Sequence, residues 1–404
     1  VQGTVAAGWE GVRRAFEENA AARGELGAGV VVMHRGRTVV DLWGGIADPQ
    51  TGRPWTAHTA GVCFSATKGL VATCFLVLVD RGQLDLDAPI AKVWPEFAQA
   101  GKDGITTRQL LNHRAGLSAI DAPLTLRDVR DAPEKVHDAL VRQQPWCKPG
   151  EAQGYGACSF GLYTAELFRR LTGRTLGHFF AEEIAGPLGL EAVLGRPADL
   201  AEAPARLVPA DRRTLLRHQL PAAMFRRNPE GRVFRRVLAG PRTVAGRSFL
   251  NPALGSERFL ALNEPDIQAL ELPWMNALVT ARGLARLYAA LAGDGSLDGV
   301  RLVRAETLAP LHGRQSWSDR DRVLQKPIGW SQGFVKDEPH LFTPSPRAFG
   351  HPGAGGALGW ADPDRSLSIG YVMNAMDWRI RSPRATALAR AAWVAADAVA
   401  TSPS

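Results

Sequence analysis

Apolar residues recur at helical spacing over residues 5 to 23, which predicts an amphipathic helix. Two β-rich runs follow, Gly27 to Met33 and Arg37 to Trp43, around the turn His34-Arg35-Gly36. From Ser65 the pattern changes to helical segments near residues 65 to 81, 106 to 113, 159 to 173 and 176 to 186, with Gly and Pro between them. A helix at 281 to 293 comes next. Alternation then returns, and Ala348 to Pro352, Gly356 to Ala361 and Leu367 to Asn374 read as strands before a last helix from Ala385 to Val399. A sheet built from both chain ends, with a helical region inserted between them, accounts for this order. The expected division is an α/β sheet domain of residues 1–64 plus 275–404 and a mainly helical domain of residues 65–274, with the active site at their junction.

Composition narrows the class without changing this picture. A chain of 404 residues, 45% hydrophobic and 22% charged, can bury a large core without disulfide or metal staples. Its net charge of +8 comes with only 7 lysines, so arginine supplies the basic complement, with one concentration from Arg212 to Arg247. That charge reads as a solvated surface, and no zinc-finger spacing or RNA-binding aromatic motif accompanies it, so no nucleic-acid partner is expected. Cys63, Cys74, Cys147 and Cys158 form no C-x-x-C pair and read as free thiols of an intracellular enzyme, and the nine histidines show no metal-ligand spacing. The first residues lack the basic flank and apolar stretch of a signal peptide, as a mature chain stripped of its leader also would, which points to the cytoplasm. The run Leu70 to Val79 is roughly half the ~20 residues of a membrane span, so no membrane partner is expected.

The sharpest local feature is Phe64-Ser65-Ala66-Thr67-Lys68, where the strand-rich start gives way to an apolar helix. If Ser65 opens that helix, Lys68 lies three residues on, one turn away on the same face. A serine hydroxyl is a poor nucleophile until a base takes its proton, and a lysine can be that base once burial and nearby positive charge lower its pKa. With 15 serines and 7 lysines, S-x-x-K arises by chance ~0.3 times in such a chain, so the pattern alone is suggestive. The plainer reading is a capping serine and a solvated lysine, against which stands the apolar setting Gly69-Leu70-Val71-Ala72.

Two further features share this chemistry. Tyr155 follows the Pro149-Gly150 turn and precedes the helix starting near Ser159, where its phenol could share a proton between serine, lysine and leaving group; a tyrosine packed in the core is the alternative. Gly350-His351-Pro352-Gly353-Ala354-Gly355-Gly356 opens the late strands, and the Ala354 amide could point into an oxyanion hole; a bulged edge strand with a surface histidine is the alternative. Trp360, a few residues on, could wall an acyl pocket or cover the core.

The order of S-x-x-K, a tyrosine after a Pro-Gly turn and H-x-G on a late strand resembles the serine hydrolases of the penicillin-binding-protein and class C β-lactamase fold. Within that group the chain is most similar to the family VIII carboxylesterases, through Ser65, Lys68, Leu110-Leu111-Asn112-His113-Arg114-Ala115-Gly116-Leu117, Tyr155 and His351-Pro352-Gly353, over about residues 10 to 400. The resemblance implies an α/β (α+β) fold of the β-lactamase/transpeptidase type, an antiparallel sheet flanked by the N- and C-terminal helices with the helical domain inserted. Two positions depart from the lactamases: Ala157 replaces an asparagine that holds a β-lactam's acylamino group, and His351 replaces a lysine that binds the lactam carboxylate. Both changes are usual in the esterase branch and predict poor lactam turnover.

The resemblance therefore implies a hydrolase of small or short-acyl carboxylic esters, with Ser65 as nucleophile, Lys68 as base and Tyr155 passing the proton to the leaving alcohol. The amides of Ser65 and Ala354 would form the oxyanion hole, His351 would hydrogen-bond near Tyr155, and His351, Gly353 and Trp360 would contact substrate. No cofactor is called for. An acyltransferase, or a penicillin-binding-type thioesterase that cyclises peptides, would use the same acyl-enzyme. A β-lactamase, a D-peptidase and a non-catalytic binding protein are weaker readings, and Ser65 lacks the flanking glycines of an α/β-hydrolase.

Overall fold

The structure is a computed structural model that describes residues 1–210, 212–225, 228–336 and 342–401. The two ends of the chain meet in one antiparallel sheet. Its strands are β1 (Gln2–Val5), β2 (Gly27–His34), β3 (Arg37–Asp48), β4 (Arg53–Pro54), β5 (Ser316–Ser318), β6 (Ile328–Ser331), β7 (Phe334–Val335), β8 (Phe349–Pro352), β9 (Leu358–Asp362) and β10 (Leu367–Met373). They lie in the order β1-β3-β2-β10-β9-β8-β7-β6-β5, with β4 on β3. The junction of the two chain ends is the pairing of β10 with β2, from Leu367 opposite His34 to Met373 opposite Ala28.

Both faces of the sheet are covered, which is why β2, β8, β9 and β10 are buried along their whole length. On one face pack the terminal helices α1 (Glu10–Ala22) and α5 (Pro383–Thr401), which also contact each other. On the other lies α4 (Ala281–Ala292), and beside it, against β7 and β8, α2 (Thr67–Asp80), whose residues Thr67 to Leu78 are all buried. A helix hydrophobic all round belongs in the interior. The segment between the sheet halves supplies α3 (Ser159–Thr172) and a set of short helices. A small sheet of Gly61–Val62, Leu278–Val279 and Ala192–Val193 ties this segment to the rest. Among the described residues no helix is long and apolar enough to cross a membrane.

Several sequence expectations change in detail. Residue 5 belongs to β1 and the first helix begins at Glu10; the segment expected as a helix over 176 to 186 is α-helical at Leu176–Phe180, widens at Ala181–Ala185 and returns to α-helix at Gly186–Leu188. The strands β5 to β7 were not foreseen: they are two to four residues long, with the charged turn Asp319-Arg320-Asp321-Arg322 between the first two, too short for a period of two to register.

Candidate active site

Ser65 lies in a tight turn, Phe64–Ala66, that leads directly into α2. Phe64 takes the left-handed conformation at φ 47°, an uncommon one for a side-chain-bearing residue, and is held in it by burial and an edge-on contact with Phe259, ring centroids 5.7 Å apart. The turn is pressed against β8 from the other side. A Cβ on Gly353 would stand 2.2 Å from the Cys63 carbonyl oxygen, so only glycine permits this approach.

Lys68, one turn along α2, is fully buried and its amine meets three oxygens: the carbonyls of Ala157 at 2.8 Å and Trp274 at 3.0 Å, and Ser65 Oγ at 3.4 Å. Burial pushes this amine down to about 7, against weak opposition from Cys158 and Cys63. The two carbonyls can only accept. A neutral amine therefore places its two N–H groups on Ala157 and Trp274 and turns its lone pair to the Ser65 hydroxyl. Tyr155 completes the group, its hydroxyl donating to Ser65 Oγ at 2.8 Å. Burial raises the Tyr155 phenol above its ordinary range, so it stays protonated while Lys68 titrates near neutrality.

Residues remote in sequence hold Tyr155 and Ala157 in place. The Asp321 carboxylate accepts from the Tyr155 amide at 3.1 Å and from the amides of Val323 and Leu324. Ser248 Oγ accepts from the Ala157 amide and donates to the Tyr155 carbonyl, each at 2.9 Å. His113, in the segment Leu110 to Leu117, accepts at Nδ1 from the Gly156 amide at 3.2 Å and packs edge-on to Tyr155, with centroids 4.9 Å apart. Burial holds its imidazole well below the usual range, and it remains neutral. Trp330 stacks on the far side of Tyr155 at 5.6 Å.

The Ser65 hydroxyl opens on a cleft of about 290 Å³, walled by Phe249, Phe259, Trp330 and Met376 with His351 and Ala354 at its base. The backbone hydrogen bonds of the two flanking turns run from Ala66 N to Cys63 O and from Gly356 N to Gly353 O, which leaves the amides of Ser65 and Ala354 outside them. Arg384 of α5 braces the second turn: it donates to Gly355 O at 3.1 Å and Ala375 O at 2.7 Å and pairs with buried Glu25 at 2.8 Å.

His351 lines the cleft, with Nδ1 donating to the Pro352 carbonyl at 2.9 Å and its ring 6.4 Å from that of Tyr155. Gly353 is not among the residues lining the cleft; its part is the close approach to Cys63. Trp360 covers the core, with its indole N–H on Thr343 Oγ1 at 3.0 Å. The register explains it: His351 faces Gly359 and Gly350 faces Trp360, so alternation puts Trp360 on the opposite side of the sheet from His351. Sequence reading missed Ser248, Asp321, Trp330 and Arg384, which carry no local motif. It also missed Asp377, Arg379 and Arg381, of which Asp377 pairs with Arg379, so the wall keeps a net positive charge even without a lysine at position 351.

The family described as Beta-lactamase matches residues 12–392. The chain belongs to the beta-lactamase family. Within that family it is 32% identical over 376 residues, 92% of this chain and 81% of the relative, to the Esterase/beta-lactamase LipL of Mycobacterium tuberculosis (strain ATCC 25618 / H37Rv). Its fold superposes on a crystal structure of a family VIII carboxylesterase with TM-score 0.83 and 35% identity, covering 98% of this chain and 99% of that one. EstA from Arthrobacter nitroguajacolicus Rue61a gives TM-score 0.84 and 31% identity, covering 99% and 100%. These likenesses carry the β-lactamase-type fold that Ser65, Lys68, Tyr155 and His351 suggested in sequence.

Proposed function

We propose that this chain is a serine carboxylesterase that cleaves small or short-acyl esters through an acyl-enzyme on Ser65. One observation carries the reading: a buried lysine with both N–H groups committed to carbonyls has one direction left, and Ser65 Oγ lies in it. The esterases among its relatives support the same reading.

In the first half-reaction Ser65 Oγ attacks the ester carbonyl carbon while its proton passes to Lys68 Nζ. The carbonyl oxygen becomes an oxyanion facing the amides of Ser65 and Ala354. Collapse breaks the bond to the alkoxy oxygen, which takes a proton from the Tyr155 hydroxyl, and Lys68 returns its proton to Tyr155. Water then attacks the acyl-enzyme, gives up a proton along the same path in reverse, and releases the acid and the free Ser65 hydroxyl. The apolar wall of Phe249, Phe259, Trp330 and Met376 and the modest volume favour small acyl groups.

The test is intact-protein mass spectrometry after brief exposure to p-nitrophenyl butyrate, with steady-state hydrolysis alongside. We expect one butyryl adduct on Ser65 and none in Ser65→Ala, which should lose turnover entirely. Adduct formation at another serine with turnover retained overturns the proposal.

A further inference from the structure

Apart from Ser248 and Phe249 at its end, the mechanism uses none of the arginine-rich stretch, and its surface has a composition of its own. Residues 212–250 contain ten arginines and a single acidic residue, Glu230, a net +9 in a chain whose total is +8. The basicity of the protein is concentrated here, and the remainder is close to neutral. The same stretch also exposes apolar side chains. Among the described residues, eleven large hydrophobic side chains are exposed, and Leu216, Leu220, Met224, Leu238 and Leu250 belong to it, with Phe259 and Leu260 just beyond.

The helix Arg212–Phe225 organises these groups. Leu216, Leu220 and Met224 are 55%, 44% and 68% exposed and follow one another at intervals of four, so they form one outward stripe about 12 Å long. At about 100° per residue, Arg213 and Arg217 fall on the same side of the helix as that stripe. His218 falls on the opposite side, where its ring stacks on Trp378 in the cleft wall at 4.9 Å and 6°. The helix thus lies against the cleft rim with leucine, methionine and arginine turned outward. Behind it, Arg235, Arg236 and Arg322 surround a second hollow, and Arg236 meets the repulsion of Arg320, Arg235 and Arg322.

We propose that this face docks on an anionic lipid surface, with Leu216, Leu220 and Met224 entering the headgroup layer, the surrounding arginines meeting its charge and the ester cleft opening beside it. Aliphatic side chains among arginines on one helix face are what an interfacial helix presents to such a surface. A second copy of the chain fits poorly, since two faces of this charge would repel. Nucleic acid fits the charge but not the stripe, which is aliphatic where single-strand binders present stacking rings. The expectation of no membrane partner, formed from the absence of an apolar span, is revised to peripheral docking. The docking surface does not depend on the esterase reading.

Flotation of the full chain with vesicles of pure phosphatidylcholine, or of phosphatidylcholine with one third phosphatidylglycerol, at low salt tests this directly. We expect at least tenfold more protein on the anionic vesicles, falling at least fivefold in Leu216→Ser/Leu220→Ser/Met224→Ser and, separately, in Arg213→Gln/Arg217→Gln. Thermal melting and hydrolysis of soluble p-nitrophenyl acetate should be unchanged in both variants, and the melting curve alone reports an intact fold if the ester reading fails. Equal or absent flotation with the two vesicle types overturns the proposal. So does binding to a DNA duplex that is lost with the arginines but not with the leucines, or a dimer that the stripe variant dissociates.

Discussion

Lys68 and Lys102 share most of their surroundings. Each is completely buried, each gives its amine to two backbone carbonyls, and each sits over an aromatic ring. Burial lowers both, Lys68 to about 7 and the less deeply set Lys102 to about 8. Lys102 binds the carbonyls of Val141 and Gln143 at 2.6 and 2.7 Å and so caps the end of the helix Pro133–Arg142, where carbonyls lack partners of their own. Lys68 has a serine hydroxyl as its third neighbour. A depressed amine alone therefore does not mark a base; the serine hydroxyl beside Lys68 is what supports the role proposed for it. The rings differ in the same sense, Phe97 under Lys102 and Tyr155 under Lys68.

The largest effect expected is the divergence of the two lysines on substitution. Lys68→Met should lower kcat/KM for p-nitrophenyl butyrate by about 10³-fold or more, while Lys102→Met should keep it within about threefold. Stability should separate them far less. Removing the Lys68 amine relieves a desolvation cost on the order of a few kcal/mol at neutral pH, but it strands two buried carbonyls at about 1 to 3 kcal/mol each. Near-cancellation is expected at position 68 and a net loss at position 102, where burial depresses the amine less. If Lys102→Met abolishes turnover in a folded protein, the comparison fails.

The same pair fixes a pH dependence. Lys68 must be neutral to accept the proton, so kcat/KM should rise with pH through about 7. Its folded value lies below that of the unfolded chain, which therefore binds more protons between about 7 and the ordinary lysine range. Over that window the Lys68 contribution to stability rises with pH, and below it the full cost of burial remains. Lys102→Met should leave the kinetic midpoint where it is. A midpoint that moves with Lys102 would assign the titration to the wrong amine.

That comparison also measures what sequence could reveal. Lys68 stood out because lysines are scarce and its neighbours Gly69 to Ala72 are apolar, whereas Lys102 sits in Ala100-Gly101-Lys102-Asp103-Gly104, which reads as an exposed turn. Helix α2 was legible as a long apolar run, and the strands β2, β8, β9 and β10 from β-rich or alternating stretches bounded by turn residues. The groups that hold Ser65, Lys68 and Tyr155 in their arrangement were not: Ser248, Asp321 and Arg384 act through hydrogen bonds to backbone atoms that include ones far along the chain. Nothing in the local pattern distinguishes such residues from ordinary surface polar ones. Trp360 was ambiguous because two strand registers one residue apart put it on opposite faces, and only the pairing with Gly350 decides between them.

A smaller effect follows from making the ring beneath Lys68 resemble the one beneath Lys102. Tyr155→Phe retains the stacking on Trp330 and the edge contact with His113 and removes only the hydroxyl that lies 2.8 Å from Ser65 Oγ. A loss of about 10²-fold in turnover with an unchanged melting curve is expected for a proton-transfer role. Because the leaving alcohol needs that proton, the loss should shrink for p-nitrophenyl esters, whose phenolate departs readily, and grow for alkyl esters. A loss under about threefold on both would return Tyr155 to a packing role.

The smallest effect concerns what holds the carbonyls themselves. The Lys102 acceptors lie at the end of a helix, but Ala157 lies before α3, and its backbone is held by Ser248, whose Oγ takes the Ala157 N–H and whose carbonyl takes the Cys158 N–H of the peptide that gives its C=O to Lys68. Ser248→Ala removes the acceptor of the Ala157 N–H and the donor to the Tyr155 carbonyl, two hydrogen bonds with a net worth of about 1 kcal/mol each, more if the stranded groups stay buried. With the Ala157 N–H freed, the backbone there is held by the Cys158 N–H on the Ser248 carbonyl, and the constraint that aims the Lys68 lone pair at Ser65 is loosened. A three- to tenfold fall in kcat is expected, with KM nearly unchanged because Ser248 is not among the residues lining the cleft. Ser248→Thr, which keeps the hydroxyl, should recover most of it if its methyl group fits. A melting shift with kcat unaltered would leave the Ser248 hydroxyl purely structural, and the aim of Lys68 would then rest on Trp274 and on the backbone bond from the Cys158 N–H to the Ser248 carbonyl.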